Sequence, residues 1–262
     1  MKMNTVGQPG KPVMIMLPGS FCRSTSMQYL YAALQNDFYI LLPEYNGHYA
    51  GTTFTTREGE AREILGYLKA EGIPRVALLY GQSMGAEIAL ELLHQMQANG
   101  VTVGHTFLDG APCIKLPFAV RQFMYLKFRA MVNLLRRRDA DAVMKMGFLR
   151  KFANGDTESL RPMLDAMKDT AAVLTDRTIR HETACCYTFD FPAFDEATQQ
   201  RMHFFYAAEE KAYRLCGAGV RQAYPQARYT VVDGCGHLTY SVKNPTQYLT
   251  LLRADADATA LS

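Results

Sequence analysis

The sequence predicts an α/β fold, a mostly parallel sheet flanked by helices and interrupted once by an all-helical insertion. Three observations carry this. Short apolar runs without polar alternation recur at 13–17, 38–42, 76–80, 105–108, 202–206 and 228–232. Runs of that length, rich in β-branched and aromatic residues, suit strands buried on both faces. Helical patterns separate them, at 24–35, 57–71, 84–98, 211–223 and 246–253, and such alternation implies right-handed crossovers between parallel strands. The interval between Leu108 and Met202 breaks the rule, with no convincing strand and helical patterns at 118–135, 139–151 and 158–174.

Each strand run is closed by its own turn or loop. The first ends at Pro18-Gly19, the second leads to Asn46-Gly47-His48, and the third enters Gly81-Gln82-Ser83-Met84-Gly85. The fourth ends at Asp109-Gly110, the fifth at Ala207-Ala208-Glu209-Glu210, and the sixth at Asp233-Gly234-Cys235-Gly236-His237. The expected organisation is a core of 1–112 and 201–262 with a cap of 113–200 inserted over the sheet's carboxyl edge. The Ala/Asp-rich tail 254–262 is expected to fray.

Composition excludes several classes. A chain of 262 residues with 48% hydrophobic and 20% charged residues is neither disordered nor collagen-like. It should bury about 70–75% of its unfolded surface, so no disulfide or metal staple is needed. The 6 Cys contain no C-x-x-C pair or other zinc spacing and read as reduced thiols. A net charge of +3 is too small to argue for nucleic acid or an anionic membrane. No secretory signal and no membrane-spanning run of about 18 apolar residues is present, so a cytoplasmic chain without a membrane span is expected.

The sharpest local feature is G-x-S-x-G between a strand and a helix. Such a turn lifts Ser83 above the sheet, and side chains at Gly81 or Gly85 would collide with the neighbouring strand and helix. The helix beginning at Met84 aims free N–H groups and a positive dipole end at the site. A serine hydroxyl needs a base. Of the 6 His, His94, His105, His181 and His203 sit in helix, strand or cap positions that suit structural roles. His48 lies in a loop that could approach the site. His237 lies in a glycine-flanked loop after the last strand, at the sheet edge where ligand sites of open α/β sheets form.

The strand-seated Gly-Gln-Ser-Met-Gly, the late Gly-Cys-Gly-His-Leu and the Pro-Gly turn after the first strand resemble the α/β-hydrolase superfamily. The resemblance spans 13–252 and implies the α/β-hydrolase fold with Ser83 as nucleophile, His237 as base and an acid after the penultimate strand. In the register of that strand the acid falls on Glu210, with Ala207 and Glu210 standing where members often have Gly and Asp; Glu209 and Asp109 are alternatives. The oxyanion donors implied are the backbone N–H groups of Met84 and Ser20, Pro18 standing where many members carry His. The activity implied is two-step hydrolysis of a small carboxylic ester or thioester, with no cofactor and no metal. The same elbow also serves C–C bond hydrolases, lyases and acyltransferases, and a ligand-binding protein with a relict triad is the rival from another class.

The apolar, Met- and aromatic-rich first cap helix suits an acyl or aromatic substrate group, with Phe21, Cys22, Phe118 and Tyr125 as candidate pocket residues. The cap's charge is uneven: 113–151 holds ten basic and two acidic residues, and 152–200 four basic and nine acidic. Either the two halves pair with each other, or the basic half forms a rim for anionic substrates.

Overall fold

The computed structural model describes residues 1–257. Its strands are β1 (Lys2–Val6), β2 (Val13–Leu17), β3 (Tyr39–Glu44), β4 (Arg75–Gln82), β5 (Thr102–Asp109), β6 (Met202–Ala207) and β7 (Arg228–Val232). They form one sheet in the order β1-β3-β2-β4-β5-β6-β7. All pairs are parallel except β1 with β3. The sequence gives no sign of β1, whose Lys-Met-Asn-Thr-Val is only partly buried. An edge strand pairs on one side only and needs no continuous apolar run.

The helices before the insertion are α1 (Gln28–Leu34), entered through a 3-10 turn at Ser24–Met27, then α2 (Arg57–Ala70) and α3 (Met84–Ala98). Between β5 and β6 lie α4 (Phe118–Arg136), α5 (Ala140–Met144), α6 (Gly147–Phe152), α7 (Arg161–Ala171), α8 (Asp176–Cys186) and α9 (Glu196–Gln199). The chain closes with α10 (Lys211–Ala223), α11 (Thr239–Lys243) and α12 (Pro245–Asp257).

Strand alternation divides the core between the two sheet faces. Ile15, Leu17, Leu41 and Leu79 pack with Ile64, Leu68, Ile88 and Leu92 of α2 and α3. Met14, Met16, Ile40 and Leu78 pack with Leu30, Leu34, Tyr248 and Leu252 of α1 and α12. Each such side chain contributes about 1.5–3 kcal/mol when fully buried. The insertion has its own apolar cluster, in which Val132, Leu135, Val143, Leu164 and Ile179 meet Phe21 and Cys22 of the loop after β2.

Two expectations about elements are corrected. The 139–151 pattern is two short helices, α5 and α6, separated at Lys145-Met146. The helix α8, which lies outside the clearest helical patterns of the interval, has a largely polar sequence, and Thr175 caps it by accepting the Thr178 N–H at 3.1 Å. Residues 254–257 do not fray but continue α12, because buried Asp255 accepts from His203 at 2.6 Å and Arg228 at 2.9 Å. The rest of the predicted tail, 258–262, lies outside the described residues.

The charge halves of the insertion pair with one another through Arg129–Asp176, Arg161–Asp141 and Arg138–Asp169. Arg136 instead donates to the Ala171 and Leu174 carbonyls. Among the described residues no helix is long and apolar enough to cross a membrane.

One buried charge gives a measurable consequence. Glu87 of α3 is fully buried; its Oε1 accepts the Cys113 N–H at 2.9 Å and its Oε2 has no partner among the described residues. Burial pushes the carboxyl from an ordinary 4.5 up to about 8, against the lowering influence of Arg57 and that hydrogen bond. The folded chain therefore holds this proton more tightly than the unfolded one, and stability falls as pH rises from the ordinary carboxyl range towards 8. Glu87→Gln keeps the acceptor and removes the titration. It is expected to match the parent in acid and exceed it by on the order of 2–4 kcal/mol above pH 8. Urea unfolding at both ends of that range checks this; a difference independent of pH would refute it.

Candidate active site

The site begins at the end of β4, between β2 and β5, where the chain turns into α3. Ser83 holds φ 53° and ψ −121°, a left-handed conformation that a non-glycine residue keeps only when its surroundings enforce it. The surroundings here are tight. A Cβ on Gly85 would lie 2.3 Å from the Leu17 carbonyl oxygen, and one on Gly81 would lie 2.5 Å from that of Gly85. The collisions expected from sequence are thus built into the packing. Unlike α2 and α8, α3 receives no side-chain cap from its N-cap residue. Its first N–H groups, including that of Met84, are left to face the turn.

The Ser83 N–H donates to the Asp109 carbonyl at 2.7 Å. The next residue, Gly110, lies against His237: a Cβ there would stand 2.5 Å from Cε1 and 2.7 Å from Nδ1 of the ring. The serine turn and the histidine ring therefore border the same end of β5. On the other side, a Cβ on Gly19 would lie 3.5 Å from the Ser83 Cβ. This brings the Pro18-Gly19-Ser20 loop alongside the serine, with the Pro18 carbonyl held by the Tyr45 hydroxyl at 3.1 Å.

Three candidate acids are resolved by their partners. Glu210 is 2% exposed; its Oε2 lies 2.6 Å from His237 Nδ1, and its Oε1 accepts the Ala207 N–H at 2.7 Å. Asp109 is buried but accepts from the Tyr248 hydroxyl at 2.5 Å, not from His237. Burial pushes the Asp109 carboxyl up to about 7, the Tyr248 hydrogen bond opposing and the charge of Glu210 adding to the rise. Glu209 accepts the Gly234 N–H at 2.9 Å, which holds its carboxyl below the usual range. The His237 Nε2 is buried and has no hydrogen-bond partner among the described residues.

The insertion braces this arrangement. The His237 N–H donates to the Phe152 carbonyl at 2.9 Å, and the two rings lie 4.3 Å apart between centroids. His48, the weaker histidine candidate, is fully buried elsewhere: Nε2 is 2.8 Å from Glu182 Oε1 and Nδ1 is 3.0 Å from the Cys22 carbonyl. Burial alone would lower the His48 pKa, but the charge and hydrogen bond of Glu182 leave it raised. The second Glu182 oxygen accepts the Phe21 N–H at 2.7 Å. Phe21 has φ 62°, so its left-handed backbone is held by a carboxylate from α8. Glu182→Ala would leave His48 Nε2 and the Phe21 N–H buried without a partner. The expected cost is about 3–5 kcal/mol, read by chemical denaturation; a loss below 1 kcal/mol would show the pair to be dispensable.

The pocket residues separate. Phe21, Cys22 and Tyr125 are buried, all three in the apolar cluster of the insertion. Phe118, expected in the pocket, is 68% exposed: it shares the heptad stripe of Tyr125 and Val132 but lies in the first turn of α4, where residues 117–120 are all exposed. A cavity of about 20 Å³ is lined by Gln82 and Leu238, the chain neighbours of Ser83 and His237, with Tyr29, Leu160 and Met163 among others; neither Ser83 nor His237 lines it. Leu160 and Met163 were not anticipated, and no local motif marks them. A larger cavity, about 240 Å³, opens at the opposite edge of the sheet beside Val103, Thr106 and Arg201, away from these groups. Among the described residues no cluster of His, Cys, Asp and Glu is arranged to hold a metal ion.

Comparison with known proteins agrees with this fold. The model of a family described as the alpha/beta hydrolase family matches residues 14–249. No curated protein matches the sequence. Among solved structures the chain is similar to a Desulfitobacterium hafniense protein described as of that family, at 19% identity and a TM-score of 0.77 over 97% of this chain and 99% of that one. It is also similar to a Bacillus subtilis carboxylesterase at 17% identity and a TM-score of 0.64, over 96% of this chain and 86% of that one. An enol-lactonase from Burkholderia xenovorans LB400 aligns at 14% identity and a TM-score of 0.69, over 98% and 96% of the two chains. At such identities the likeness to these structures carries the fold alone.

Proposed function

From the premise that the chain belongs to the alpha/beta hydrolase family, we propose that it is a serine hydrolase cleaving a small carboxylic ester or thioester. One observation carries the reading: His237 is fixed through Nδ1 to Glu210 at 2.6 Å while its Nε2 stays buried and unpartnered beside the serine turn. An imidazole held in that way keeps its proton on Nδ1 and offers Nε2 as a base.

In the proposed mechanism Nε2 takes the Ser83 proton as Oγ attacks the substrate carbonyl carbon. The electron pair of the C=O bond moves to oxygen, and the N–H groups of Met84 and Ser20 hold the charge. Collapse breaks the bond to the leaving alcohol or thiol, which receives the proton from His237. Water, deprotonated by the same nitrogen, then attacks the acyl-enzyme and releases the acid and Ser83. The Phe21 N–H is engaged by Glu182, which supports Ser20 as the donor from that loop. Losing one such donor typically costs about 10²–10³ in rate.

The helices 113–200 act in this reading as a cap that selects the acyl group. The 20 Å³ cavity has room for about one water and is not lined by Ser83 or His237, so an acyl chain must displace side chains to reach the serine. Turnover of short-chain p-nitrophenyl esters and acyl-thioesters tests the proposal, with one acid released per bond cleaved. Failure to hydrolyse either series would remove the ester and thioester reading.

A further inference from the structure

Four of the six large apolar side chains exposed among the described residues sit on one helix, α4: Phe118 at 68%, Phe123 at 57%, Leu126 at 56% and Val120 at 42%. Tyr125, Met131, Val132 and Leu135 of the same helix are buried in the insertion's own cluster. At about 100° per residue Val120, Phe123 and Leu126 fall on the side away from that stripe, while Phe118 stands in the exposed first turn. Thus α4 is apolar on two sides, and only the buried one is packed in an apolar cluster among the described residues.

The charge around the exposed side is of one sign. Helix α4 contains Arg121, Lys127, Arg129 and Arg136 and no acidic residue. Two of these cations lie over the exposed rings, Lys127 Nζ at 4.3 Å from the Phe123 centroid and the Arg121 guanidinium at 5.8 Å from that of Phe118. The neighbouring α8 adds Arg177 and Arg180, while its Asp176 is held by Arg129 at 3.0 Å and its Glu182 is buried with His48. Aromatic and aliphatic groups surrounded by Arg and Lys, on a helix that does not span, match the boundary between lipid headgroups and acyl chains. Each cation gains further from anionic headgroups. A second copy of this chain is the poorer occupant, because pairing two such faces would bring cation against cation.

We propose that the outward face of α4 docks on an anionic lipid surface, with Phe118, Phe123 and Leu126 entering the headgroup boundary and Arg121 and Lys127 meeting lipid phosphates. The net charge of +3 hides this local excess. That such a surface also presents the ester to Ser83 rests on the serine-hydrolase reading; the docking itself does not.

The test uses the Ser83→Ala chain, so that binding is read without turnover. It is sedimented with vesicles of phosphatidylcholine, with and without phosphatidylglycerol, at low and high salt. The expected result is partitioning onto the phosphatidylglycerol vesicles that weakens at high salt. Combining Phe118→Ser, Phe123→Ser and Leu126→Ser should lower that partitioning at least about tenfold, with the circular dichroism spectrum unchanged because all three side chains face solvent. No sedimentation at low salt, or partitioning indifferent to the triple substitution, would overturn the proposal. So would a dimer in solution that the triple substitution disperses, since the face would then belong to a second copy. Failure of the unmodified chain to hydrolyse esters would leave this result standing.

Discussion

Replacing Ser83 with alanine is expected to lower ester turnover by about 10⁵–10⁶-fold, leaving stability close to that of the parent. The magnitude follows from a nucleophile and base that act as a unit, so removing either forfeits nearly all of the covalent route. The modest stability change follows from packing. Ser83 is held by its backbone, through the N–H bond to Asp109 and the glycines either side, and its side chain caps nothing. His237→Ala should match it in rate, because it removes the imidazole placed beside the serine turn. Steady-state kinetics on a p-nitrophenyl ester, with unfolding curves recorded in parallel, reads both expectations. Retention of a tenth of the activity in Ser83→Ala would move the chemistry elsewhere.

The second large effect is expected from Glu210→Gln, at about 10³–10⁴-fold in kcat with KM little changed. The reason lies in how the two carboxylate oxygens are used. Oε1 accepts the Ala207 N–H at 2.7 Å, and Oε2 faces His237 Nδ1 at 2.6 Å. A glutamine can satisfy the Ala207 N–H only with its carbonyl oxygen, which turns its NH₂ group towards Nδ1. That donor drives the ring proton to Nε2, the tautomer that cannot deprotonate Ser83. Asp109→Asn and Glu209→Gln, whose carboxylates are engaged by Tyr248 and Gly234, should stay within about tenfold of the parent, less than the loss of one oxyanion donor. A large loss in Asp109→Asn with near-normal Glu210→Gln would exchange their roles.

The parts of this site legible in the sequence are those whose constraints are local. The glycines around Ser83 are needed because Leu17 and the start of α3 approach within a methyl group's width, and a strand–turn–helix spacing encodes that approach directly. Glu210 is reached by counting from a strand whose ends are marked by apolar pattern. What stayed hidden depends on partners distant along the chain. His48 and Glu182 are 134 residues apart and read separately as a loop histidine and a cap carboxylate; together they hold the Phe21 backbone. Phe152 braces His237 through a backbone carbonyl, which any residue could supply, and through a ring contact that no local pattern marks. Periodicity in α4 puts Phe118 on the same stripe as Tyr125 and Val132, which are buried. It stands in solvent because the first turn of the helix, 117–120, is exposed all round, and where packing along a helix begins is set by partners distant in the chain.

Whether Ser83 is a nucleophile activated by His237 is read by incubating the folded chain with a fluorophosphonate, followed by intact-mass and peptide analysis. The reagent forms a stable phosphonyl ester only with a serine whose proton can be removed in place. A single adduct mapped to Ser83, absent from His237→Ala and strongly slowed in Glu210→Gln, is the result expected. No adduct on the folded chain, or an adduct on another residue with Ser83 unmodified, would contradict it.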